Sequence, residues 1–336
     1  MTEPIAVVTG GAGFIGSHAV DALLARGFSV RVVDDLRGGR LANIEHVLDG
    51  SAVALHEVDI CHLPPDSGIF AGADLVLHFA GIGDIVPSVE RPADYMETNL
   101  MGTVRVLEAA RHAGVRRFVY AASSSCYGVN PAVPTDENSP IVTEYPYALS
   151  KFQGEQAAFH WARVYGLSVN AIRIFNAYGP RSRTSGAYGA VFGVFLKQKL
   201  AGKPFTVVGD GTQCRDFVFV TDVAEAFVLA GLTEHTGRIW NLGCGDPQSV
   251  NRLVELLGGS VVHIPRRPGE PAATWADPTA IHRDLDWAPT VSFEQGVATV
   301  VENIDYWAEA PLWDKESIAT ATEPWFRLLS ESEETV

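Results

Sequence analysis

The feature that most constrains this chain is a glycine-rich turn set between a short apolar run and a helical stretch. Ile5 to Thr9 reads as a buried strand, and Gly10-Gly11-Ala12-Gly13-Phe14-Ile15-Gly16 follows it directly. The next segment carries Ile15, Ala19, Ala22 and Leu23 on one stripe, the spacing of a helix face. Glycines let the backbone turn tightly and let another group approach closely, and a helix N-terminus offers free N–H groups and a dipole. A lone glycine pattern is compatible with a tight turn and no ligand. In the strand–turn–helix context it points to a dinucleotide pyrophosphate, with Gly10, Gly13, Phe14, Ile15 and Gly16 as the expected contacts.

The rest of the first half repeats the alternation. Candidate strands are Ser29–Val33, Ala52–Val58, Leu75–Phe79, Arg117–Ala121 and Ser168–Ile174, with helical periodicity between several of them. Such repetition builds a doubly wound parallel sheet, a Rossmann-type α/β fold whose strands are apolar on both faces because helices cover both. The second half is punctuated by glycine, proline and charge, and reads as a smaller α/β region. The expected division is a dinucleotide-binding domain over 1–175, with 217–243 returning to it, a second domain over 176–216 and 244–330, and a polar tail over 331–336. The second strand ends in Val33-Asp34-Asp35. A carboxylate there accepts hydrogen bonds from a ribose diol and repels a 2′-phosphate, which favours NAD over NADP. Arg37 and Arg40 leave an opening for NADP.

Charge excludes whole classes of partner. The 336 residues carry a net charge of −15, with lysine and arginine scattered rather than clustered. That field repels nucleic acid and anionic membrane surfaces, so any bound phosphate must be held by local amides and single arginines. The four cysteines, Cys61, Cys126, Cys214 and Cys244, have neither metal-ligand spacing nor a disulfide framework, so inert thiols, no metal and a reducing compartment are expected. The first apolar run is too short for a signal peptide or membrane span, and a cytoplasmic protein is expected.

Tyr147 and Lys151 stand at i,i+4 on one predicted helix face. A tyrosine titrates near ~10, so working as a phenolate near neutrality takes a downward shift of up to ~3 units, or ~4 kcal/mol. A neighbouring ammonium and the positive ring of an oxidised nicotinamide are the groups that supply it. Ser123 ends the fifth strand and can hydrogen-bond the reacting hydroxyl. The pair alone is common by chance; following the glycine turn in this order, it is specific.

Together, Gly10-x-x-Gly13-x-x-Gly16, Asp34, Val58-Asp59-Ile60, His78-Phe79-Ala80-Gly81, Asn99, Ser123-Ser124-Ser125-Cys126-Tyr127-Gly128, Tyr147-x-x-x-Lys151 and Arg173-Ile174-Phe175-Asn176 resemble the extended short-chain dehydrogenase/reductases. Within that family they are most similar to the UDP-sugar 4-epimerases, over about residues 5 to 310. The resemblance implies that Asp59 and Ile60 flank the adenine and that Asp35, Gly38, Phe79, Ala80, Gly81 and Asn99 line the cofactor. Phe175 is implied to lie near the nicotinamide. It also implies that Tyr147 takes the proton of the sugar 4-hydroxyl while hydride leaves C4, and returns it after the 4-keto sugar has turned over. Lys151 is implied to hold the nicotinamide ribose and lower the tyrosine pKa. Related 4,6-dehydratases carry an Asp-Glu pair where Ser124 and Ser125 stand here, and decarboxylating relatives a Glu, which disfavours both reactions.

For the substrate, the resemblance places Arg215, Arg267 and Glu270 on the nucleotide diphosphate and ribose, Asn176 at the diphosphate–sugar end, and Thr206 and Val208 at the uracil wall. Val208 departs from the aromatic often found there and Thr274 from a bulky aromatic that blocks N-acetylated sugars. Arg183 matches a position where uronate epimerases hold a carboxylate, with Ser124 and Ser125 as further donors. The expected reaction is therefore UDP-glucuronate to UDP-galacturonate. UDP-glucose or UDP-N-acetylglucosamine epimerisation is the alternative, and a simple reductase or a non-catalytic sensor a more distant one. Apolar residues on more than one face of the helices near 94–110 and 149–165 imply a homodimer.

Overall fold

In the computed structural model, which describes residues 3–129, 131–182, 190–266 and 271–330, the apolar runs become parallel strands separated by helices. In chain order the first half gives β1 (Ile5–Thr9), α1 (Phe14–Leu24), β2 (Ser29–Asp34), α2 (Glu45–Leu48), β3 (Val53–Glu57), β4 (Leu75–His78), α3 (Pro92–Tyr95), α4 (Thr103–His112), β5 (Arg117–Ser123), α5 (Pro146–Tyr165) and β6 (Ser168–Ile174). The second half gives β7 (Asn176–Tyr178), α6 (Val191–Leu200), β8 (Phe205–Val208), β9 (Cys214–Arg215), β10 (Phe217–Phe219), α7 (Val220–Leu232) and β11 (Ile239–Leu242). It ends with β12 (Gln248–Ser249), α8 (Val250–Leu257), β13 (Val261–Ile264), β14 (Ala273–Thr274), α9 (Thr279–Leu285), α10 (Phe293–Glu302) and α11 (Lys315–Ser330).

The main sheet is seven-stranded, in the order β11-β6-β5-β4-β1-β2-β3. Its pairings are all parallel, and Thr9 lies opposite both Val33 and His78 while Ser123 lies opposite Ile174. The register thus brings the carboxyl ends of β1, β2, β4, β5 and β6 to one edge. Strand order reverses between β1 and β4, which is where a doubly wound sheet opens a crevice for a ligand.

Residue alternation along β1 sets how the sheet is covered, because successive side chains of a strand point to opposite faces. Ala6 and Val8 join α1, α7 and α9 through Leu23, Phe227, Ile281 and Leu285. Val7 faces the other side, with Val106 and Leu107 of α4 and Ala158 of α5. Each fully buried large apolar side chain contributes about 1.5–3 kcal/mol. A separate core in the second half gathers Tyr178, Phe192, Phe217 and Phe293, with Tyr178 and Phe192 stacked at 4.7 Å. Short strands frame that lobe in three small sheets: β7 with β10, β9 with β12 and β14, and β8 with β13.

Two local features position the site. Helix α5 begins at Pro146, three residues before the expected start, because proline at the first helical position needs no N–H partner and has its φ preset. It stops at Gly166 in the left-handed region. The stretch between α3 and α4, Met96–Gly102, is π-helical rather than α-helical, with Asn99 buried inside it. Among the described residues no helix is long and apolar enough to cross a membrane. Also among them, no group of three or more His, Cys, Asp or Glu could hold a metal ion.

Candidate active site

The glycine turn is built by backbone contact. Gly10 has φ +69°, and a methyl added there would stand 2.7 Å from the Ala80 nitrogen. A methyl at Gly16 would stand 2.1 Å from the Gly10 carbonyl oxygen. No side chain fits either position, so the turn from β1 into α1 closes against the end of β4 and leaves an open cradle at the helix start, flanked by Gly13, Phe14 and Ile15. Such a cradle fits the pyrophosphate of NAD.

Asp34 closes the neighbouring corner. Only 7% exposed, its carboxylate accepts from the Ala12 N–H at 3.0 Å and the Leu36 N–H at 2.9 Å. Burial pushes its carboxyl above the usual range, against those two bonds. Arg37, which left room for a 2′-phosphate, is turned onto Asp35 and, at 2.7 Å, onto Asp59. The guanidinium of Arg40 lies 5.0 Å from the centre of the Tyr306 ring. Gly38 is exposed with open space around it, while Ile60 is buried against Gly102. The rim of this corner is therefore acidic, in keeping with a ribose diol.

Asn99 acts on the β4 loop rather than standing free in the crevice. Its amide oxygen accepts from the Ile82 N–H at 2.8 Å, and its nitrogen donates to the Ile82 carbonyl and, at 3.0 Å, to Ser150 Oγ. This clamp holds Gly81 exposed at the crevice, beside Lys151: a methyl on Gly81 would lie 3.9 Å from Lys151 Nζ. Phe79 packs on Phe227 at 4.5 Å, and Phe175 lies 6.5 Å from Tyr127. His78, which the sequence marked only as part of a motif, bridges Thr9 Oγ1 at 2.6 Å and Thr103 Oγ1 at 2.9 Å. Burial and the nearby Lys151 pull its imidazole down to about 3, so it is a neutral tie between β1, β4 and α4.

The three expected catalytic side chains converge. Tyr147, in the first turn of α5, donates from its hydroxyl to Ser123 Oγ at 3.4 Å, and Ser123 also accepts from the Ser125 N–H. Lys151 follows one turn later, with Nζ 4.6 Å from the Tyr120 ring. Burial pulls the Lys151 ammonium down to about 8, with Glu155 acting the other way. Burial pushes the Tyr147 phenol above its usual range; the Ser123 bond opposes this, while Asp84 and Cys126 add to it. Lys151 Nζ faces the Tyr120 ring, and burial keeps the Tyr147 phenol protonated in the cofactor-free protein.

Beneath this trio lies a network that sequence reasoning missed. Arg173 on β6 forks onto Glu155 at 2.7 and 2.9 Å with both side chains buried, and donates to Tyr127 at 2.7 Å. The pair locks α5 to β6 and thereby sets the height of Tyr147 and Lys151 above the sheet. Four residues separate Lys151 from Glu155, a spacing that marks the shared face but gives no sign of the partner strand.

Ser124 and Ser125 lie on the single helical turn after β5, which packs on α5. Asn176 opens β7, and its N–H donates to the Asp216 carbonyl at 3.1 Å. Arg215 on β9 lies parallel to Thr274 on β14 and donates to the Cys214 carbonyl at 2.9 Å. The Thr206 hydroxyl accepts from Gln198 at 2.9 Å, so it is turned into the second core, while Val208 lines a small open cleft with Gln213, Arg266 and Pro271. Arg183, Arg267 and Glu270, together with the tail over 331–336, lie outside the described residues.

The model of the NAD dependent epimerase/dehydratase family matches residues 6–243. A UDP-glucose 4-epimerase of Mycolicibacterium smegmatis is 37% identical over 306 residues, spanning 88% of this chain and 97% of its own. A dTDP-glucose 4,6-dehydratase of Streptomyces niveus is 32% identical over 321 residues, spanning 91% and 94%. The UDP-glucuronic acid 4-epimerase of Bacillus cereus, solved with UDP-glucuronic acid and NAD, superposes with a TM-score of 0.84 at 29% identity and covers 90% of this chain and 99% of that one.

Proposed function

The chain belongs to the NAD-dependent epimerase/dehydratase family, and on that premise we propose that it inverts carbon 4 of a UDP-sugar, converting UDP-glucuronate to UDP-galacturonate through a 4-keto intermediate. The observation that carries this reading is the meeting of Tyr147, Ser123 and Lys151 at the sheet edge where the glycine turn also opens. Serines at 124 and 125 disfavour dehydration, since hydroxyls do not take a proton from C5 and expel the 6-hydroxyl at neutral pH.

Gly10, Gly13, Gly16, Asp34 and Lys151 would hold the cofactor. NAD bound there would supply hydride exchange at sugar C4 and the positive charge of its oxidised ring. That charge works against the burial that otherwise keeps the phenol protonated. Tyr147 takes the proton of the 4-hydroxyl, with Ser123 holding the oxygen in line, and returns it once the keto sugar presents its other face. Arg215, Arg267, Glu270 and Asn176 would anchor the nucleotide diphosphate during that rotation, with Val208 against the base and the Thr206 side chain, expected there, spent instead on Gln198. In this reading 176–216 and 244–330 form the nucleotide-sugar domain.

Arg183 and the Ser124–Ser125 hydroxyls support a C6 carboxylate. A second reading, UDP-glucose 4-epimerisation, is favoured by the higher identity of the Mycolicibacterium relative. The test is incubation of the purified holoenzyme with UDP-glucuronate, UDP-glucose and UDP-N-acetylglucosamine, without added cofactor, followed by separation of C4 epimers. UDP-galacturonate as the main product supports the first reading, and UDP-galactose without uronate turnover replaces it with the second. We further propose a cytoplasmic homodimer joined through α4, the π-helical stretch before it and α5, where Met101 (40%) of that stretch and Val164 (52%) and Tyr165 (50%) of α5 are exposed.

A further inference from the structure

Helix α11 starts in one lobe and ends on the other. Just before it, the Trp313 carbonyl accepts from Gln198 of α6 at 2.8 Å, and Asp314 accepts from the Ser317 N–H at 2.8 Å, capping the first turn. Ile318 is buried in the core of Phe192 and Phe293. Seven residues on, the same helix face carries Trp325, 5% exposed, but its surroundings belong to the sheet lobe. The indole lies 5.2 Å from the Tyr145 ring, and the helix packs on the turn Val86–Val89 that follows β4.

Tyr145 precedes α5 and is the middle ring of a short stack. It lies parallel to Tyr147, with centroids 6.5 Å apart and 9° between planes, and the Ser125 side chain stands beside its hydroxyl. On the other side, Tyr95 meets Tyr147 edge-on at 6.4 Å and donates to the Asp84 carbonyl at 2.5 Å. Tyr147 is thus held between two rings, one braced by the β4 loop and the other by α11.

We infer that Trp325 is a positioning residue for the reaction: seated on Tyr145 at the end of an interlobe helix, it fixes the Tyr147 ring and the Ser125 hydroxyl toward sugar C4. The inference rests on the reading of Tyr147 as the proton carrier. The proposed anchors Asn176 and Arg215 stand in the lobe where α11 begins and the tyrosine in the lobe where it ends. One helix therefore couples the two distances that must stay constant while the keto sugar turns. Displacing a reacting group by an ångström can cost roughly a hundredfold in rate, so a brace of this kind acts on turnover rather than on binding.

The test compares wild type, Trp325→Ala, Trp325→Phe, Ile318→Ala and Tyr147→Phe as holoenzymes. Turnover is read on whichever of the three UDP-sugars the wild type converts. Tyr147 ionisation is read without substrate, from the phenolate ultraviolet band of each enzyme minus that of its Tyr147→Phe counterpart. The groups facing the phenol are Ser123, Asp84, Cys126, Tyr145, Tyr95 and Tyr120, with Lys151 one turn along α5. Loss of the indole admits water to the stack and relieves the burial that raises the phenol, so its ionisation moves to lower pH. Trp325→Ala is expected to lower kcat by tenfold or more, on the order set by misplacement, with KM within about twofold. Trp325→Phe is expected to recover most of it. Ile318→Ala loosens the far end of the same helix without touching Tyr145 and is expected to lower Tm with a smaller loss of kcat than Trp325→Ala and ionisation kept. Wild-type kcat and ionisation in Trp325→Ala overturn the inference, as does an equal kcat loss in Ile318→Ala. Undiminished turnover in Tyr147→Phe overturns instead the reading on which it rests.

Discussion

The cofactor end and the nucleotide-sugar end of this crevice are made of different material. At the first, backbone presses on backbone: Gly16 under Gly10, Gly10 against Ala80, and a buried Asp34 carboxylate pinned by two N–H groups. At the second, the proposed lining is made of side chains on short strands, Val208 of β8 and Arg215 of the two-residue β9, while the Thr206 hydroxyl of β8 is committed to Gln198. A site made of backbone has few sequence solutions, because only glycine meets the steric demand. A site made of side chains on short strands has many, which is how one fold serves different sugars.

The comparison breaks first at Tyr147, which faces both ends. Tyr147→Phe keeps the ring stack and removes the proton carrier. Turnover is expected to fall by roughly 10³–10⁴-fold, the range for general acid–base groups, while UDP-sugar affinity by calorimetry stays within about threefold. Turnover above a tenth of wild type contradicts the assignment. Next is the brace beneath. Arg173→Ala strands Glu155 at 1% exposure, and leaving one member of a buried pair uncompensated costs about 3–5 kcal/mol. Denaturant unfolding reads that loss, and a change below about 1 kcal/mol means the pair is dispensable. Smaller again is Gly16→Ala, whose methyl meets a backbone oxygen. Overpacking of about 1–3 kcal/mol is expected, with NAD retained less on gel filtration while the second lobe keeps its UDP affinity.

These unequal effects track what could be read from the amino acids. The strand Ile5–Thr9, the glycine turn, Asp34 and the Ser123, Tyr147 and Lys151 trio were all legible, because period and spacing encode backbone geometry directly. The π-helical stretch around Asn99 was not, and the side-chain amide inside it is spent on Ile82, a contact between residues seventeen apart. Glu155 with Arg173 was hidden for the same reason: the sequence shows two ordinary charges, and only the sheet brings them together. The reach of Trp325 across the lobes is longer still, and the apolar stripe of α11 says that a face is buried but not against what.

Lys151 gives the subtlest comparison, between what the site needs and what the fold prefers. Its ammonium titrates at about 8 in the folded protein, against 10.5 for the free side chain, because burial disfavours the charge. The sign follows from linkage. A lysine with a depressed folded value stabilises the fold only at pH above its unfolded value, and that contribution is lost as pH falls through 8. At neutral pH the charged lysine therefore opposes folding, by about 3 kcal/mol as an upper figure from the shift. Lys151→Met, similar in length and uncharged, is expected to raise Tm of the cofactor-free protein at pH 7. The gain shrinks as pH rises from 8 toward 10, while turnover collapses. A lower Tm at pH 7, or a gain that grows with pH, would mean that Lys151 is held by favourable contacts rather than kept charged at the expense of the fold. The glycines of the cofactor end oppose folding in no such way, since the turn they make is the one the strand and helix already require.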